Sequence, residues 1–124
     1  MFQEIGRVKV RFAVEGFGIM DGELTRFTAP KTVDAILKQL PLEGRTAKWK
    51  EEIYFETPVK MGAEKAQPKV EAGALAYWPM GAAVCIFYGT SQPYSPVNII
   101  GKITSNLELS AGVREGTRIR MERA

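Results

Sequence analysis

The chain has 124 residues, 45% of them apolar and 25% charged, which is enough for one buried core and too short for two ordinary domains. Lys and Arg number 17 against 14 Asp and Glu, and the resulting +3 does not mark out a nucleic-acid binder. With no histidine and one cysteine, it excludes His-based triads, His-ligated metals, an internal disulfide and CxxC-type zinc sites, and suits a reducing cytoplasm.

The chain opens on Gln3, Glu4, Arg7 and Lys9 in place of the apolar run of a signal peptide. Val8, Val10, Phe12 and Val14 then alternate with Arg7, Lys9, Arg11 and Ala13, the period of a half-buried strand. Residues 19–27 predict a second strand around a turn-like Asp21-Gly22. Val33, Ile36, Leu37 and Leu40 share one helical face; Thr28 is the expected N-cap, Pro30 fits the first turn, and Pro41 stops the helix. Residues 49–55 read as a strand and 60–69 as a polar loop. Residues 74–78 and 83–88 predict a hairpin turning at Pro79-Met80-Gly81. A second loop spans 89–96, a strand 98–103, a short helix 106–111, and a last strand 117–123 with one basic face. The most apolar stretch, 72–89, is broken by Gly73, Pro79 and Gly81, so no membrane span is expected.

Seven or eight short strands with one or two short helices, and no repeat or linker, predict a mainly β single domain over 1–124 closed into a barrel. Three segments sharpen this. They are Trp49-Lys50-Glu51-Glu52-Ile53-Tyr54-Phe55-Glu56-Thr57-Pro58, the run Gly73-Ala74-Leu75-Ala76-Tyr77-Trp78-Pro79-Met80-Gly81-Ala82-Ala83-Val84-Cys85-Ile86-Phe87-Tyr88-Gly89, and Pro96-Val97-Asn98-Ile99-Ile100-Gly101-Lys102-Ile103. Together they resemble a family of small prokaryotic proteins with a cyclophilin-like fold. The resemblance implies a closed eight-stranded barrel, capped by residues 32–40 at one mouth and 107–111 at the other. Val8, Val10, Phe12, Leu75, Ile86 and Ile100 are then expected inside it.

The resemblance also suggests prolyl cis–trans isomerisation, which needs no imidazole or metal but does need a donor aimed at the amide nitrogen. Cyclophilins supply an arginine from the strand resembling residues 49–55. Here that segment holds Lys50, Glu51, Glu52 and Ile53, and an ionised carboxylate cannot donate. A non-catalytic binding module is therefore the expected role, with peptidyl-prolyl isomerase as the alternative and a part in an amide- or urea-processing assembly a third reading by analogy. No catalytic residue, metal site or cofactor is assigned.

The residues expected to bind a ligand are Glu52, Tyr54, Tyr77, Trp78, Phe87 and Tyr88, an acidic and aromatic set on neighbouring strands. Either Glu51 or Glu52 is available; Glu52 shares its strand face with Tyr54 and is preferred. The expected partner is a small cationic or amphipathic molecule, or a proline-containing peptide, with no membrane involved. Cys85 reads as a buried, inert hydrophobe. Arg114, Arg118, Arg120 and Arg123, with Arg7, Lys9 and Arg11, would form a positive outer face if the first and last strands pair. Nearby Glu4, Glu15, Glu115 and Glu122, and the lack of interleaved aromatics, leave nucleic acid an unexpected partner.

Overall fold

A computed structural model describes residues 6–124; Gln3 and Glu4 lie outside the described residues. In chain order the elements are β1 (Arg7–Val14), β2 (Gly18–Thr25), α1 (Pro30–Gln39), β3 (Leu42–Arg45), β4 (Ala47–Trp49), β5 (Glu52–Glu56), β6 (Ala74–Trp78), a 3-10 turn (Pro79–Gly81), β7 (Ala83–Phe87), β8 (Asn98–Ser105), α2 (Leu109–Gly112) and β9 (Arg118–Arg123). All strands join one nine-stranded sheet in the order β3-β9-β1-β2-β8-β6-β7-β5-β4, so the count is nine where eight were expected. Two strands go beyond the segments read in chain order: β3 (Leu42–Arg45) lies where no strand was expected, and β4 has a local cause. Residues 49–55 are not one strand: Lys50 adopts a φ of 53°, the chain reverses there, and β4 pairs with β5 as a hairpin. The sheet curls into a nearly closed barrel. β3 runs beside β5 without ladder bonds, close enough that a Cβ on Gly44 would stand 3.2 Å from the Glu56 carbonyl oxygen.

Alternation along the strands decides what fills the barrel. Val10, Phe12, Met20, Leu24, Ile53, Phe55, Leu75, Tyr77, Val84, Ile86, Ile100, Ile119 and Met121 are buried together in one cluster, while Val8 is only half-buried near the start of β1. Helix α1 contributes Val33 and Ile36 to this core near the Thr25 end of β2, and Val113, just after α2, joins it. At the opposite end of β2, Ser110 of α2 donates to the Met20 sulfur at 3.2 Å. Two caps thus close the two mouths, as the resemblance implied.

Some local readings shift. Asp21 and Gly22 lie inside a continuous β2; what marks them is a register shift against β8, not a turn. The N-cap of α1 is Ala29 rather than Thr28, and it makes no side-chain cap bond. β8 continues beyond Ile103 to Ser105. β1 and β9 do pair, with Arg11 opposite Glu122 and Ala13 opposite Arg120. Arg120 is neutralised there by ion pairs to Glu43 and Glu122, so the outer face is less positive than its arginines alone suggest.

Candidate functional site

A second, smaller apolar cluster lies on the outside of the barrel wall. Ala76, Cys85, Phe87 and Val97 are fully buried there, with Tyr54, Trp78 and Ile99 packed against them. It forms because β5, β6 and β7 place Glu52, Tyr54, Ala76, Trp78, Cys85 and Phe87 on the face opposite the core. Gln67 bonds Val97 across this wall, so the two long loops lie over it.

A cavity of about 220 Å³ opens beside this cluster, lined by Trp49, Glu52, Tyr54, Trp78, Pro93, Tyr94 and Val97. Its aromatic walls meet edge to face. Ring centroids are 5.3 Å apart for Trp49 and Tyr94, 5.8 Å for Tyr54 and Trp78, and 6.0 Å for Trp78 and Tyr94. This geometry sets ring edges against neighbouring faces and keeps the cage open. Both indoles are anchored: Trp49 Nε1 donates to the Gln92 carbonyl at 3.3 Å, and Trp78 Nε1 to Ser95 Oγ at 2.6 Å.

Loop 89–96 supplies Pro93 and Tyr94, and the β4–β5 turn holds it in place. Glu51 N accepts no role in the cavity: it donates to Ser91 Oγ at 2.8 Å, while the Glu51 carboxylate receives Thr90 N at 3.0 Å. The choice between two adjacent glutamates is thus resolved by their partners. Glu51 ties down the loop, and Glu52 faces the cavity.

Glu52 is only 5% exposed. Burial pushes its carboxyl up to about 7, against a smaller downward pull from the neighbouring Cys85 thiol. The same burial, together with the Glu52 charge, drives the Cys85 thiol well above its usual range, which makes it a neutral neighbour and not a nucleophile. Burial and the nearby Glu52 charge also raise the Tyr54 hydroxyl, so it stays protonated. The site therefore joins polarisable ring faces to one carboxyl group poised to lose its proton near neutrality.

Of the six residues expected to bind, Glu52, Tyr54 and Trp78 line this cavity. Phe87 is fully buried in the wall behind it. Tyr77 points the other way, into the barrel, where its hydroxyl donates to the Val59 carbonyl at 2.6 Å. Tyr88 packs against the barrel core, and its hydroxyl donates to the Lys50 carbonyl at 3.2 Å. Alternation separates Tyr77 from Trp78 and Tyr88 from Phe87, and the segments alone did not say which parity faced the loops. Sequence reading missed Trp49, Pro93, Tyr94 and Val97. The one available signal was Tyr94, an aromatic between two prolines in a polar loop.

No histidine is available, and among the described residues no group of three acidic or cysteine side chains could hold a metal ion. Nor is any helix among them long and apolar enough to cross a membrane. No curated protein matches the chain. The solution structure of the hypothetical protein AF2241 from Archaeoglobus fulgidus is similar over 96% of this chain and 97% of its own, with 36% identity and a TM-score of 0.82. The structure of McbB in complex with tryptophan is similar in fold, with a TM-score of 0.80 and 12% identity. The match covers 92% of this chain but 44% of McbB, so the chain spans less than half of that protein. The Cyclophilin-like family model matches residues 8–122, nearly the whole described barrel, and the chain belongs to that family.

Proposed function

We propose that the protein is a binding module whose outer-wall cavity takes a small organic cation carrying an apolar or aromatic body. The observation that carries this reading is the buried Glu52 carboxyl set among Trp49, Tyr54, Trp78 and Tyr94. Ring faces attract a cation through their quadrupoles, more strongly once it is desolvated. A carboxylate beside them adds a charge-assisted hydrogen bond to an ammonium group. The cavity's volume suits one ring or one side chain and is too small for a long peptide.

Isomerisation is the runner-up. Its transition state needs a donor at the amide nitrogen, yet no arginine or lysine lines the cavity and both indole N–H groups are already engaged. The donors left in the lining are the Tyr54 and Tyr94 hydroxyls and an unionised Glu52, all uncharged where cyclophilins supply a guanidinium, and a direct assay tests them.

Tryptamine is a suitable probe, because it joins an aromatic ring to an ammonium group. Calorimetric titration should give saturable binding at pH 8, with indole-3-propionate, its anionic counterpart, at least tenfold weaker. Tyr54→Ala and Trp78→Ala should each abolish the tryptamine-induced thermal shift while the amide spectrum stays folded. Equal binding of both indoles, or full shifts in both variants, would remove the assignment. Acceleration of Xaa-Pro isomerisation that Tyr54→Ala eliminates would replace it with the isomerase reading.

A further inference from the structure

A different cavity, of about 740 Å³, opens on the opposite side of the sheet order, where the β1–β2 hairpin meets β9 and β3. Its chemistry is the reverse of the aromatic cage. Arg45 of β3 and Arg118 of β9 are directly paired across the ladder, and both are exposed. Like charges placed opposite one another on adjacent strands repel. Their neighbour Arg120 is satisfied by Glu43 and Glu122, but neither Arg45 nor Arg118 makes an ion pair among the described residues. Arg45 is instead held in place by donating Nη1 to the Gly116 carbonyl at 2.9 Å, and Glu15 on the same rim bonds to neither side chain.

The apolar part of the cavity is equally unpartnered. Phe17 at the hairpin tip is 38% exposed, and Ile19 on β2 is 45% exposed, both lining the same depression. Gly16 and Gly18, at φ of 80° and 130°, flank Phe17 and shape the tip that presents it. Register then aligns the groups. Ile19 lies opposite Ala13, Ala13 opposite Arg120, and the Arg45–Arg118 pair sits two residues before Arg120, at the start of β9. An apolar strip therefore leads to two guanidinium groups that make no ion pair among the described residues, with Glu15 beside Arg118, its backbone N bonded to the Arg118 carbonyl at 3.0 Å.

We infer that this cavity is a second binding site, taking a small organic carboxylate with its anionic head between Arg45 and Arg118 and its apolar body on Ala13, Phe17 and Ile19. A carboxylate relieves the repulsion between the two arginines and matches the planar fork of each guanidinium. Covering Phe17 and Ile19 removes exposed apolar surface that otherwise faces water. The charge and the apolar strip lie together, so a ligand with both parts gains from each at once.

The test is an amide chemical-shift titration of the whole chain with octanoate, with acetate and octanol as the head-only and tail-only counterparts. Octanoate should give saturable shifts confined to residues 13–19, 43–45 and 118–120, with acetate and octanol each at least tenfold weaker. Arg118→Gln should weaken octanoate fivefold or more, Arg118→Lys much less, and octanol should bind Arg118→Gln as it binds the wild type. Phe17→Ala should weaken octanoate and octanol alike. Octanol binding as tightly as octanoate, shifts scattered outside these segments, or unchanged affinity in Arg118→Gln would each overturn the inference. Tryptamine binding at the Glu52 cavity is read separately and should be the same in Arg118→Gln.

Discussion

The Glu64 carboxylate closes the N-terminus of α1 from the far side of a long loop, on Thr32. Glu64 Oε1 accepts from Thr32 N at 2.9 Å and from Thr32 Oγ1 at 2.7 Å, while Oε2 accepts from Lys31 N at 3.0 Å. Ala29 at the N-cap has no side-chain acceptor to offer, so Glu64, 32 positions beyond Thr32, satisfies the orphan donors and complements the helix dipole. Asn98, fully buried, completes the arrangement. Its Oδ1 accepts from Glu64 N at 2.8 Å, and its Nδ2 donates to Thr32 Oγ1 and to the Gly62 carbonyl. Loop 60–69 is thereby pinned to the barrel.

Glu64→Ala should therefore cost about 1–2 kcal/mol, the range of a lost helix cap, measured by urea unfolding. Burial alone would raise the Glu64 carboxyl, but the hydrogen bonds from Thr32 and Lys31 outweigh it and hold it below the ordinary value. A lowered native pKa means stability that is present above the unfolded value and lost as pH falls through the native one. The gap between wild type and variant should shrink in acid. A gap that stays constant down to pH 3 would argue against this cap.

Glu52 should produce the opposite slope. Its native carboxyl is raised to about 7, so between roughly pH 4.5 and 7 the folded protein holds a proton that the unfolded chain has released. Stability should fall with rising pH across that window and level off above it. Glu52→Gln, uncharged throughout, should match wild type near pH 4.5 and be the more stable of the two at pH 8. Parallel melting curves for both proteins from pH 4.5 to 8 would contradict the buried placement.

Tyr94 is 66% exposed yet touches both indoles. Tyr94→Ala should leave the melting temperature nearly unchanged, because little buried area is lost, but weaken tryptamine five- to tenfold by calorimetry, about 1–1.4 kcal/mol. Unaltered affinity would show that the loop does not help to form the cage.

Gly101 faces Leu24 across the β2–β8 ladder, and a Cβ there would overlap the Glu23 carbonyl. Backbone cannot move aside as a flexible side chain can. Gly101→Ala should cost roughly 3 kcal/mol by forced repacking of two strands, visible as a lower urea midpoint. A midpoint within error of wild type would mean the strands separate more freely than their packing implies.

Cys85 has no exposed surface and a thiol pushed well above its usual range by burial. Ellman's reagent at pH 8 should leave the native protein unmodified over hours and titrate one thiol in denaturant. Rapid native labelling would mean that the outer-wall cluster opens readily.

Period-2 alternation in residues 7–14, and the short apolar runs 74–78 and 83–88 on either side of Pro79-Met80-Gly81, were enough to identify strands, and the glycine- and proline-marked breaks were enough to separate most of them. These patterns are local, and the physics behind them is local too. The β4–β5 reversal escaped because Lys50 carries no turn signature: a lysine at φ 53° is stabilised by the surrounding bonds, not by its own preference. The same holds for the cap of α1, where Thr28 was the local candidate and Glu64 the actual acceptor.

For the site, sequence alone determined the residue types available and the pairing of Glu52 with Tyr54 on one strand face, since both follow from composition and side-chain alternation. Only the tertiary structure decided that this face lies outside the barrel, that Trp78 and not Tyr77 shares it, and that Trp49 and Tyr94 complete the enclosure. Those facts depend on strand order and on where the loops fold back. Both are set by the packing of the whole barrel and leave no mark in any short stretch of chain.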